Sequence, residues 1–134
     1  MDVTGKSSPP YSLDEAQALL ADARRRMAEA AALVADLQRL LMQLRSGHAP
    51  ASTTEEAAIL ESAVDEVFTW FETRGVQIKS LSPALLDFPA KAILDGEPRD
   101  VLLCWRDDED AIAYYHGLDG GYATREPVAM LDRV

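Results

Sequence analysis

Hydrophobic and polar positions in the first part of the chain follow the period of an amphipathic helix. Ser12 and Glu15 have the spacing of a capping box, which predicts a helix start. Neither proline nor glycine occurs from there to Ser46. Apolar positions alternate at spacings of four and three, as in a coiled-coil seam, and are Ala16, Leu20, Ala23, Met27, Ala30, Val34, Leu37, Leu41 and Leu44. We predict a helix of roughly 33 residues, about 50 Å long, that ends before Gly47.

A second, shorter helix is predicted to start near residues 52–54 and to run to Arg74, where Gly75 stops it. Thr53 and Glu56 repeat the capping-box spacing. Its apolar stripe is Ala57, Leu60, Val64, Val67 and Phe71. The short connector makes the helices antiparallel neighbours. Because the second helix is shorter, the seam of residues 13–27 must be covered by the C-terminal region or by a second copy of the chain.

After Gly75 the helical period stops and short runs with β-strand character follow. Asp95-Gly96 is a turn signal, and Asp119-Gly120-Gly121 marks another before residues 122–128. Pro89 lacks a ladder N–H, so its strand is expected at a sheet edge. The predicted strands are residues 76–81, 85–90, 101–105 and 112–116. The predicted fold is α+β: a long antiparallel helical hairpin, coiled-coil-like, followed by a small, mostly antiparallel β-sheet.

The 134 residues, 48 % of them hydrophobic, suit a single domain with one modest core. We predict a flexible N-terminal tail at 1–11, the helical hairpin at 12–74 and the sheet region at 75–134. No run approaches the ~18 uncharged apolar residues of a membrane span, and the first ten residues lack a signal-peptide pattern. We therefore expect a cytoplasmic protein without a membrane partner.

The net charge of −10 is unevenly distributed. Residues 1–50 hold six basic and six acidic side chains and are neutral. Residues 51–75 hold six acids and one base, and residues 76–134 hold eleven acids and six bases, so each of these segments contributes −5. Since phosphate backbones are bound by clustered positive charge, nucleic acid is disfavoured as a partner.

Candidate chemistry centres on the second of the two histidines. His48 lies in the loop between the helices, where we expect it to be solvated. His116 ends a predicted strand beside Tyr114 and Tyr115 and precedes Asp119, which could fix the tautomer of the imidazole. The alternative is a strand-end histidine bonded to a nearby carbonyl or carboxylate.

The single cysteine, Cys104, excludes an internal disulfide framework and a multi-cysteine zinc site. A symmetric hairpin of the two strongest strands sets Cys104 opposite Ala113. His116 would then lie three residues farther along, roughly 10 Å away, and point to the other face. A cysteine–histidine pair is therefore not expected, and Cys104 is predicted to be a small buried apolar residue.

Asp87 interrupts an otherwise apolar strand, with alternation giving one face to Leu86 and Phe88 and the other to Leu85 and Asp87. Its carboxylate is solvated, paired with an arginine, or aimed into a cleft. Arg106 and Arg125 are candidate anion clamps or partners for such carboxylates. The four acidic residues at 107–110 are predicted to form the solvated tip of a loop.

The chain is similar to a bacterial and archaeal family, domain-of-unknown-function family 2203. The resemblance is carried by YSLDEAQALL (11–20), LLDFPA (85–90), VLLCWR (101–106), IAYYH (112–116) and LDGGYATREPV (118–128). The family often has a shorter glycine-glutamate turn at the place of residues 107–110 of this chain. It often has an acidic residue at the place of Gly117 of this chain. The resemblance implies a helical hairpin with a small sheet and no established activity.

These observations favour an uncharacterised, non-enzymatic module that self-associates as a dimer through helix one. The predicted ligand site at the sheet comprises Asp87, Trp105, Arg106, Tyr114, His116, Asp119 and Arg125. No cofactor is predicted for this module. The alternative is a small enzyme or a divalent-metal-binding protein that uses His116 with Asp119 or Asp87. A third hypothesis is recruitment of a basic protein by the acidic loop and helix two.

Overall fold

A computed structural model describes residues 7–132 and confirms the α+β class. Two helices come first, α1 (Leu13–Ser46) and α2 (Thr53–Thr73). Five antiparallel strands follow, paired in sequence order: β1 (Gln77–Leu81), β2 (Ala84–Leu94), β3 (Glu97–Arg106), β4 (Tyr114–Gly117) and β5 (Glu126–Pro127). Within residues 7–132, neither helix is long and apolar enough to cross a membrane.

Both ends of α1 follow the local rules that predicted them. Ser12 Oγ accepts from the Glu15 N–H at 3.1 Å, and the Ser12 N–H donates to Glu15 Oε1 at 2.7 Å. Gly47 ends the helix with φ 78°, a left-handed conformation that glycine adopts without a Cβ clash. The second capping box was wrong: Ser52 is the N-cap of α2, and its hydroxyl binds Glu56.

The sheet covers the first half of the α1 seam. Ala16, Leu20, Ala23 and Met27 are all buried in the core against β2 and β3. The N-terminal seam is therefore covered by the C-terminal region, the first of the two predicted coverings. Farther along, where α1 packs on α2 alone, the seam is half-buried and Leu41 is 40 % exposed. Self-association through α1 stays a prediction. It can no longer be argued from an uncovered N-terminal seam, because the sheet covers that part.

The strand that contains Pro89 is not at an edge: β2 lies between β1 and β3. Pairing with β1 ends at Asp87, and Tyr11 takes over beyond it, donating its N–H to the Pro89 carbonyl at 2.9 Å. N–H and C=O of one residue point to the same side of an antiparallel strand. The missing N–H of Pro89 is therefore on the side where the β1 ladder has stopped.

Tyr11, assigned to a flexible tail, is buried at 1 % exposure and bridges to Ala90 of β2. Residues 1–6 of that tail lie outside the described residues. The Asp95-Gly96 turn is confirmed: both residues have positive φ, 53° and 79°, and they join β2 to β3 as a two-residue hairpin loop.

Strands β3 and β4 pair one residue away from the predicted register. Cys104 lies opposite Tyr114, not Ala113. The side chain of Gln17 on α1 binds both the N–H and the C=O of Ile112, each at 3.0 Å, and Ile112 is buried in the core. Because Ile112 is held by the helix, β4 begins two residues later than predicted. A one-residue shift turns every side chain of a strand to the other face.

Candidate functional site

The face of the sheet that points away from the helices holds the candidate site. Directly paired residues of neighbouring strands share a face, and the pairs Asp87–Cys104 and Cys104–Tyr114 form one row across β2, β3 and β4. His116 lies two residues along β4 from Tyr114, hence on the same face. The corrected register thus places the thiol and the imidazole side by side.

Asp87, Cys104 and His116 form a buried cluster. One potential ligand atom from each residue lies within 4.8 Å of the other two. Asp87 Oδ2 and His116 Nε2 are 3.0 Å apart, and none of the three residues is more than 3 % exposed. The Asp87 carboxylate is therefore not solvated, and it is paired with no arginine of residues 7–132. The predicted separation of Cys104 from His116 was wrong, because it assumed the shifted register.

The hydrogen bonds of His116 determine where its protons can lie. Nδ1 is 2.8 Å from the Gly117 carbonyl oxygen, which can only accept, so Nδ1 carries a hydrogen and donates. Nε2 faces Asp87 Oδ2. One proton must occupy that second contact, either on the imidazolium or on the carboxylic acid. Nε2 is consequently the ring atom available for proton exchange or metal ligation.

Cys104 is held as a thiol. Burial raises its pKa to about 12, the negative charge of Asp87 adds to the increase, and the positive charge of Arg125 opposes it. Asp87 Oδ1 is buried and has no hydrogen-bond partner among residues 7–132. A buried carboxylate oxygen without a donor is costly.

The segment after β4 covers the cluster. Arg125 lies 4.3 Å from the ring centroid of Tyr114 and 4.0 Å from that of Tyr122, and it pairs with Glu109 at 2.7 Å. Gly120 packs closely below: a Cβ there would lie 3.4 Å from the Cβ of His116. The ion pair of Arg125 and Glu109, whose side chains are 11 % and 15 % exposed, therefore connects the segment after β4 to the β3–β4 loop.

Asp87 and His116 are the predicted site residues that belong to the cluster, and Tyr114 and Arg125 lie beside it. The other three predicted residues lie farther away. Trp105 is on the opposite face, in the core against the helices, with Nε1 donating to the Glu109 carbonyl. Arg106 donates to the Tyr122 hydroxyl at 3.0 Å, one step along β3 from the cluster row. Asp119 is exposed. The imidazole of His116 is bound by Asp87 and a backbone carbonyl, not by Asp119.

Sequence reasoning missed Cys104, Glu109 and Tyr122 as parts of the site. Cys104 was rejected because the predicted register set it opposite Ala113. A shift of one residue, to Tyr114, is enough to bring Cys104 and His116 onto the same face. Glu109 stood among four consecutive acids with nothing to distinguish it. Only the position of Arg125 shows that this one acid is paired and mostly buried.

The molecule is an α+β protein with a helical hairpin and a buried carboxylate–thiol–imidazole cluster on the outer face of its sheet. It belongs to the DUF2203 family, described as "Uncharacterized conserved protein", whose model matches residues 10–128. The matched span contains both helices, the five described strands and the whole cluster. No curated protein and no solved structure matches the chain.

Proposed function

We propose that this protein binds one divalent transition-metal ion, preferentially Zn²⁺, through Asp87, Cys104 and His116. The supporting observation is the convergence of three different ligand atoms within 4.8 Å in a buried place. Sulfur, nitrogen and oxygen ligands lie about 2.0–2.3 Å from Zn²⁺ in tetrahedral sites, roughly 3.5 Å from one another. Movements of about 1 Å would close the cluster around an ion.

The local environment of the cluster fits a cation better than an apolar core. A metal ion would give the buried Asp87 Oδ1 the partner that it lacks. The Gly117 carbonyl already orients His116 so that Nε2 faces the centre, which is the usual outer support of a histidine ligand. With three protein ligands, a tetrahedral ion keeps one position for water or substrate.

Binding is expected to release protons. Burial raises the pKa of the Cys104 thiol to about 12, and this thiol must lose its proton to become a ligand. The proton between His116 Nε2 and Asp87 Oδ2 must be released as well. Metal affinity should therefore rise with pH. A thiol ligand also requires a reducing environment, and we propose the cytoplasm as the compartment on this ground.

The test is metal titration of tag-free, chelator-treated protein with Zn²⁺ and with Co²⁺ as a spectroscopic substitute. We expect one ion per chain and a sulfur-to-cobalt absorption band. Cys104→Ala should abolish the band, and Asp87→Asn and His116→Gln should each weaken binding at least tenfold. His48→Gln, which changes the exposed histidine of the interhelical loop, is the matched control and should bind as the native chain does.

Circular dichroism of each variant separates loss of a ligand from loss of the fold. Absence of stoichiometric binding to the folded native chain contradicts the proposal. Equal binding by a folded Cys104→Ala variant contradicts the assigned ligand set.

Self-association is a second candidate, favoured by the part-exposed half of the α1 seam. Val34, Leu37 and Leu44 are only half-buried there, and Leu41 is 40 % exposed. Sedimentation at micromolar concentration should then show a dimer, and Leu41→Glu should yield monomers. A native chain that sediments only at 14.7 kDa contradicts this candidate.

A further inference from the structure

A cleft separate from the metal cluster opens between α1 and the end of β3. Its volume is about 310 Å³. It lies on the helix side of the sheet, because the buried core residue Trp105 forms part of its wall. Its lining includes Arg24, Met27, Ala31, Leu81, Trp105 and Asp107.

Opposite charges line this cleft without neutralising each other. The Arg24 guanidinium lies 5.4 Å from the Trp105 ring centroid and makes one long hydrogen bond, 3.4 Å, to the Asp110 carbonyl. Within residues 7–132 it has no carboxylate partner, whereas the next two arginines pair with Asp22 and Glu29. Arg24 is therefore a positive charge available to a ligand.

Asp107 is the negative counterpart. Its Oδ2 accepts from the backbone N–H of Ala84 at 3.0 Å, which fixes the carboxylate at the mouth of the cleft. Within the described part of the chain it pairs with no cation, and its side chain is exposed.

Most of the remaining lining of the cleft is apolar. Met27, Ala31 and Leu81 contribute hydrocarbon surface, and the alanine leaves room beside the methionine. A volume of about 310 Å³ is at the lower end of ordinary binding pockets, which suits a small ligand.

We propose that this cleft binds a small zwitterion, namely a free amino acid with an apolar side chain. Arg24 binds the carboxylate, for which the planar guanidinium offers paired donors. Asp107 binds the ammonium group, and Met27, Ala31 and Leu81 contact the side chain. Both charged groups of the ligand are needed, because each finds a separate partner in the cleft.

Isothermal titration calorimetry with three related probes tests the proposal. L-Leucine has both charges, N-acetyl-L-leucine lacks the ammonium group and L-leucinamide lacks the carboxylate. We expect the native chain to bind leucine and to bind each of the other two at least tenfold more weakly. Arg24→Gln and Asp107→Asn should each reduce leucine affinity at least tenfold.

Neighbouring substitutions provide matched controls. Arg25→Gln and Asp108→Asn remove the same charges one residue away, outside the cleft lining, and should leave leucine affinity within twofold of the native value. His116→Gln should also bind leucine, which separates this cleft from the metal proposal. Failure of the native chain to bind leucine at millimolar concentration overturns the inference, as does equal binding of N-acetyl-leucine.

Discussion

The Tyr11 hydroxyl ties the start of the chain to the end of α2, and its removal gives a quantitative prediction. The hydroxyl donates to the Arg74 carbonyl at 2.6 Å, while the ring packs edge-on against Phe88 at 6.3 Å between centroids. Tyr11→Phe deletes the donor and keeps the ring. The carbonyl loses its partner in a buried place, so we expect a loss of about 1–2 kcal/mol in unfolding free energy at pH 9.

The pH dependence provides a second, independent signature. Burial raises the pKa of Tyr11 from 10.0 to about 12, with Arg74 opposing and Glu15 adding to the increase. The folded state therefore keeps a proton that the unfolded state loses above pH 10. Linkage then lowers stability as pH rises, by about 1.3 kcal/mol between pH 9 and pH 11 for this one group.

Phenylalanine has no proton to lose at this position. The unfolding free energy that the native chain loses between pH 9 and pH 11 through Tyr11 should therefore not be lost by Tyr11→Phe. The two chains should become nearly equal in stability close to pH 11. Urea unfolding followed by circular dichroism, with a reductant and a chelator at both pH values, measures the difference. Other groups, including the Cys104 thiol, contribute equally to both chains. A stability difference that stays constant from pH 9 to pH 11 would refute the buried, proton-holding hydroxyl.

Two further predictions concern the core and the register of the sheet. Phe88→Ala, at a position with 0 % exposure, should cost about 3–5 kcal/mol, whereas Phe68→Ala, at 37 % exposure, should cost much less; urea unfolding at pH 7 compares them. Gln17→Leu leaves the N–H and C=O of Ile112 without partners and should cost about 2–3 kcal/mol, whereas the exposed Gln38→Leu should be nearly neutral. Equal losses at 17 and 38 would contradict the role given to Gln17 in setting where β4 begins.

The elements of the fold were predictable wherever a local rule determined them. The Ser12–Glu15 box, the Gly47 stop and the Asp95-Gly96 turn each depend on residues at most three positions apart, and all three are confirmed. The Thr53 box failed by one residue: Ser52 is the N-cap, and its hydroxyl bonds the Glu56 side chain.

The position of Pro89 in the sheet was not predictable in this way. Proline excludes a ladder bond on one side of a strand, which the sequence analysis interpreted as a sheet edge. An interior strand satisfies the same restriction at a position where pairing with its neighbouring strand has stopped. Here Tyr11, 78 positions away from Pro89 in sequence, binds Pro89 on the side where pairing with β1 has stopped.

The sequence analysis identified residues of the candidate site but did not predict how they are arranged. Asp87 and His116 were both selected, because a carboxylate in an apolar strand and a histidine at a strand end are unusual. Their contact, and the inclusion of Cys104, depend on the pairing register of β3 and β4, and Gln17 of α1 binds Ile112 just before β4. A side chain 95 positions away cannot be assigned to that role from the pattern of β4 alone.

By itself, the sequence determined the period of each segment, the start and end of the first helix, the α+β class and the segregation of net negative charge away from the first helix. These properties follow from interactions between near neighbours in the chain. Tertiary structure decided which face of each strand is covered, what covers the α1 seam and which acid among four meets Arg125. Side chains alternate across a strand, so a long-range contact that moves the register by one residue decides whether a thiol and an imidazole meet.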